Sequence, residues 1–215
     1  MTTRGERTRE HLLDVAEQLL SRRGIDSVSL REIRLTAGQR NTSALQFHFG
    51  DREGLLRSLS DRHRPRLQGL LVAHYQEMIA GGREGDPRSL LGVFVRPTVD
   101  YVFEGPSPRA WVRILAELAA RPELKVHDFV NNTAPEAIDT GTRLLDSLQT
   151  VVPRRLGFDR VFMVTLAVLH LCADRARLED SPAPGRRQLS QREFTENVVD
   201  MAHGALFAPV RETAS

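Results

Sequence analysis

Cysteine is almost missing from this 215-residue chain. Cys172 is the only one, so neither an intrachain disulfide framework nor a multi-cysteine zinc site can form. Lysine is as scarce: Lys125 stands alone among 30 basic residues, the rest being arginine. A GC-rich genome produces that bias without functional cause, but it also supplies side chains that pair bidentately with phosphate and guanine. Long apolar runs are short too. The longest uncharged apolar stretch, 161–173, has 13 residues where a bilayer span needs roughly 20, and the N-terminus MTTRGERTRE leads into no continuous apolar segment with a cleavage site. These absences predict a cytoplasmic protein with no membrane partner. No segment alternates with period two between hairpin turns, so no sheet is expected. GxSxG, GxGxxG, P-loop and HExxH patterns are also missing. No catalytic residue, metal ligand or cofactor is therefore assigned. His170 and Cys172, two apart on a helix, face different ways and make a poor metal pair.

What is present is ordinary globular material, 40% hydrophobic and 27% charged, with an uneven charge distribution. Residues 1–68 hold 13 arginines against 9 acids, a net +4, while the remainder carries −2 within an overall +2. A basic module on a nearly neutral body follows. Leu12, Val15, Ala16, Leu19 and Leu20 recur at helical spacing, with Gly24 placed to end that helix. Ser29 can cap a second helix, with Glu32 reaching back and Val28 stapled to Ile33. Ala37-Gly38 ends it, a short segment runs from about Asn41 to Phe47, and Asp51 can cap the helix beyond. Gly and Pro clusters at 81–87, 105–108, 133–135, 152–153 and 181–185 divide the rest into further helical segments. The fold class is thus all-α.

Residues 29–47 have the layout of a helix-turn-helix, whose second helix is sized for the major groove and carries Arg40, Asn41, Thr42, Ser43 and Gln46. Ser29-Leu30-Arg31-Glu32-Ile33, Ala37-Gly38 and the run Leu45-Gln46-Phe47-His48-Phe49-Gly50-Asp51-Arg52-Glu53-Gly54-Leu55-Leu56 together resemble the N-terminal domain of TetR-family transcriptional regulators, over roughly residues 4–64. The resemblance implies a three-helix DNA-binding domain at 1–64, with linking helix four starting at 51, and a helical ligand-binding and dimerisation domain at 65–215. It implies a homodimeric, ligand-responsive repressor of a palindromic double-stranded DNA operator, controlled by a small-molecule effector. Carried over position by position, the DNA-binding residues are Ser29, Arg40, Asn41, Thr42, Ser43, Gln46, Phe47, His48 and Arg52. Arg40 to Ser43 fall at the start of the recognition helix, and Arg52 stands where the family has a phosphate-binding lysine. His48 has an equal alternative, packing between helices. Two departures stand out: the turn from Gly38 is one residue longer than usual, and Gln46 replaces a tyrosine.

Beyond residue 68 no motif guides the reading. Tyr101, Phe103 and Trp111 could line an apolar pocket with Asp100, Arg113 and Glu117 as polar anchors, or be plain core and surface. Two apolar stripes, at 158–173 and 194–206, suit core packing alone or a dimer interface, and the resemblance favours the dimer. Phe162, Leu166, Leu169, Ala173, Val198, Ala202 and Leu206 are the interface candidates. The competing reading is a helical ligand-binding or adaptor dimer that has lost DNA binding.

Overall fold

The computed structural model describes residues 3–121, 134–182, 184, 185 and 187–210. Lys125 and the loop positions Thr133 and Ala183 lie outside the described residues. Within them the chain is helical, with no strand: α1 Arg4–Arg23, α2 Leu30–Thr36, α3 Ala44–Phe49, α4 Arg52–Ala80, α5 Pro87–Phe103, α6 Pro106–Ala119, α7 Pro135–Gln149, α8 Arg154–Asp180 and α9 Gln191–Phe207.

Local chemistry sets most boundaries. At the start of α1 the Thr3 hydroxyl accepts the Glu6 N–H while the Glu6 carboxylate takes the Thr3 N–H, a complete capping box. Gly24 ends α1 at φ +88°, a backbone region that L side chains rarely adopt. Ser29 caps α2 by accepting the Glu32 N–H, but the Glu32 carboxylate pairs with Arg23 instead of reaching back, so the expected box is half formed. Asp51 caps α4 through the Gly54 N–H at 2.8 Å. Helix α4 continues through Pro65 to Ala80, so the boundary at 64/65 falls inside one helix. A second complete capping box, Ser190 with Glu193, starts α9.

In the body, α5 packs against α4, α6, α7, α8 and α9, and α6 packs along both α8 and α1. One cluster of buried apolar side chains runs without a break from the head (Leu12, Ile25, Ile33, Leu55, Leu59) into the body (Val99, Val102, Trp111, Ile114, Cys172). A second cluster, with Leu90, Leu148 and Leu206, fills the far end.

The two apolar stripes divide differently from the sequence expectation. Ala173, Val198, Ala202 and Leu206 are buried in the chain's own core, because α9 packs on α5 and α8, and α8 in turn packs on α6. They are therefore corrected from interface candidates to core. Leu166 and Leu169 are half-buried, whereas Phe162 is 59% and Met163 65% exposed. The 13-residue uncharged run lies inside α8, which as a whole is long and apolar enough, by length and composition, to cross a membrane, with 17% of its apolar 18-residue window buried. An apolar face of α8 is thus left exposed among the described residues.

Candidate nucleic-acid interface

Helix α3 is held by its inner face. Ala44, Leu45 and Phe49 are buried against α1, α2 and α4, and Arg9 lies over the Phe49 ring at 5.3 Å. This turns Gln46 and Phe47 outward, with Phe47 81% exposed. A phenyl group so exposed on a charged head gains nothing from folding. His48 is half-buried and edge-on to Phe47 at 5.1 Å, between its two expected roles.

Because α3 begins at Ala44, Arg40, Asn41, Thr42 and Ser43 lie in the preceding turn rather than in the recognition helix, a correction to the sequence expectation. The turn has its own order: the Asn41 carboxamide oxygen accepts the Ser43 N–H at 3.0 Å, and Arg34 donates to the Gln39 carbonyl at 2.6 Å. All four side chains remain exposed. The Arg40 side chain makes no hydrogen bond or ion pair among the described residues, and neither do the side chains of Arg4, Arg7 and Arg31, which are exposed on the same head. Arg4, Arg7 and Arg31 are additional cations that the sequence comparison alone did not single out. Ser29 spends its hydroxyl oxygen on the α2 cap.

Arg52 is placed differently from its expected role. It is half-buried and donates Nη1 to the Ile25 carbonyl at 2.7 Å and Nη2 to the Val28 carbonyl. Its guanidinium ties the α1–α2 turn to the start of α4 instead of facing a phosphate.

The six pocket candidates are divided among separate environments. Tyr101 and Trp111 are buried in the core cluster. Trp111 stacks on His63 at 5.1 Å, the Tyr101 hydroxyl lies 2.5 Å from His63 Nδ1, and His63 Nε2 meets the buried Glu17 carboxylate. Burial and the Glu17 charge push the Tyr101 phenol well above its ordinary range. Phe103 lies beneath the Arg175 guanidinium. Asp100 pairs with His74 at 2.7 Å and accepts from Gln191 at 2.8 Å, and Arg113 pairs with Asp180. Glu117 accepts the Ile25 N–H with its two oxygens at 2.8 and 3.0 Å, while Arg121 bridges Glu117 and Asp26. The Ile25 peptide is thus held on its N–H side by α6 and on its carbonyl side by α4.

Residues 12–59 match the tetR family of bacterial regulatory proteins. The head of this chain thus matches the tetR-family domain. The chain is 33% identical over 113 residues to the HTH-type transcriptional regulator AcrR of Shigella flexneri, covering 53% of this chain and 48% of the relative, so the match spans about half the length of that curated relative. The TetR-family fold extends further. GusR of Salmonella enterica superposes with a TM-score of 0.51 at 18% identity over 95% of this chain and 97% of its own. A bacterial regulatory protein in the tetR family from Rhodococcus RHA1 gives 0.57 at 17% identity over 98% and 100%. The TetR family is one of regulatory proteins rather than enzymes.

Proposed function

We propose that this chain is a homodimeric transcriptional repressor of the TetR family that reads a palindromic operator and responds to a small-molecule effector. The observation that carries the reading is the outward face of α3 and its preceding turn. Gln46, Phe47, Asn41 and Thr42 are exposed there on a helix whose opposite side is fixed in the core. Arg4, Arg7, Arg31 and Arg40, with no side-chain partner among the described residues, are exposed on the same head. Gln and Asn read base edges bidentately, an aromatic ring contacts a thymine methyl, and the arginines neutralise backbone phosphates.

The exposed apolar face of α8, with Phe158, Phe162 and Met163 joined by Met201 of α9, supports a second copy as its cover. Two recognition helices would then address two half-sites. Effector control would pass through α6, since Glu117 holds the head at Ile25. Footprinting on DNA upstream of the gene tests the proposal: protection of a near-palindrome there, absent on random duplex, is the expected result. Arg7→Ala should weaken binding to all sequences and flatten the salt dependence by about one counterion. Equal footprints on both DNAs would refute specific recognition, and no footprint on either would leave the adaptor reading in its place.

A further inference from the structure

Between the head and the body lies a cavity of about 660 Å³, walled by Asp14, Glu17, Gln18, Ser21 and Arg22 of α1, by Ser107 and Arg113 of α6, and by Asp180 at the end of α8. Its size falls within the usual range of small-molecule sites. The wall contains both signs of charge, so the ligand class depends on which groups are already satisfied.

The carboxylates all are. Asp14 accepts from Arg62 at 2.8 Å. Glu17 meets His63, accepts from the Ser107 hydroxyl at 2.8 Å and has Arg62 at 3.7 Å. Asp180 accepts from both Arg109 and Arg113. Of the cations, Arg22 makes no hydrogen bond or ion pair among the described residues, and Arg113 commits only Nη2, to Asp180. The Gln18 amide is likewise uncommitted. The lining itself holds two guanidiniums, Arg22 and Arg113, against three carboxylates that are each already engaged, so the groups left free to bind are donors: the Arg22 guanidinium, the Gln18 amide and the buried Arg113 Nε, which has no hydrogen-bond partner among the described residues.

We infer that this cavity binds a small oxyanion, a carboxylate or phosphate monoanion carrying hydroxyl groups, seated between Arg22 of the head and Arg113 of the body. Guanidinium groups pair with such anions by charge-assisted hydrogen bonds, while the satisfied carboxylates along the wall accept from ligand hydroxyls. The site bridges α1 and α6, so an occupant bonds to both halves and favours the present docking of the head. Glu17, in the cavity wall, also touches His63, on which Trp111 stacks, so occupancy should reach the single tryptophan. Ligand binding here does not depend on the DNA-binding reading, which has its own footprinting test.

The experiment is titration of the full chain, followed by calorimetry and Trp111 fluorescence, with glycerate, glycerol 3-phosphate, inorganic phosphate and, as the opposite charge, ethanolamine. Saturable binding of glycerate or of the two phosphates, weakened about tenfold or more by Arg22→Gln and unchanged by Arg23→Gln, is expected. Glycerate binding alone would assign the carboxylate class, and binding of glycerol 3-phosphate or phosphate alone the phosphate class. Arg22 is exposed near the end of α1, so its variant folds; circular dichroism and the melting temperature check this directly. Absence of saturable anion binding up to 10-millimolar order, binding indifferent to Arg22→Gln, or preference for ethanolamine would each overturn the inference.

Discussion

Arg52 gives both guanidinium arms to main-chain carbonyls, Ile25 and Val28, and these are charge-assisted hydrogen bonds within a half-buried turn. Losing them costs roughly 1.5–3 kcal/mol per bond at most, less where water replaces them. Arg52→Ala should therefore lower the melting temperature by several degrees, at about 2–4 °C per kcal/mol for a chain of this size, while the salt slope of DNA binding stays the same. An unchanged melting temperature with a flatter slope would return Arg52 to the phosphate role. Phe47 behaves in the opposite manner. At 81% exposure it contributes little to the core, so Phe47→Ala should leave the melting temperature within about 1 °C, and its effect should appear in operator affinity, by roughly 1–3 kcal/mol. Cys172 has no comparable role. Burial pushes its thiol up to about 12, so a thiol reagent should label it only as the chain unfolds. Rapid labelling of the native protein would contradict that burial.

At the scale of elements, α6 is the link between head and body. Helix α4, which runs through Pro65, joins the halves covalently. The structure adds a noncovalent grip: Glu117 near the end of α6 accepts the Ile25 N–H, and the Arg121 side chain reaches Asp26 beside it. Glu117→Gln removes the charge from the Ile25 contact and from the Glu117–Arg121 pair while keeping the shape. The Ile25 amide should then exchange with solvent about tenfold faster, corresponding to roughly 1.4 kcal/mol of local stability, with amides deep in α5 unaffected. Hydrogen exchange followed by NMR measures this. Equal protection of Ile25 in both proteins would show that apolar packing alone docks the head.

At the scale of the whole molecule, α8 leaves an apolar face exposed among the described residues. Phe162 is exposed and Val198 buried, so two substitutions that look alike in sequence should act differently. If the proposed dimer forms through this face, the chain should scatter light near twice 24.2 kDa and Phe162→Arg should give a folded monomer with helix content kept. Val198→Arg should instead unfold the chain, because it places an unpaired charge in the core. Dissociation by Val198→Arg with full thermal stability would reverse this assignment.

Much was legible in the chain itself. Caps and breakers are local, so Gly24, Ser29, Asp51 and the Gly-Pro clusters mark helix ends without knowledge of any neighbour. The short polar segment before Gly50, with its Phe-His-Phe block, marks the head in the same way. Which side of an apolar helix meets the core is not local. The 158–173 stripe is wide enough to face two ways, and only packing against α6 and α9 selects Cys172 and Ala173 for the inside and leaves Phe162 outside. Partner choice is also a tertiary matter: Arg52, Glu117 and Tyr101 carry ordinary side chains whose roles depend on Ile25 and His63, 27, 92 and 38 positions away. Local sequence determined the helices and the reading head, and long-range packing decided which groups remain free to bind anything.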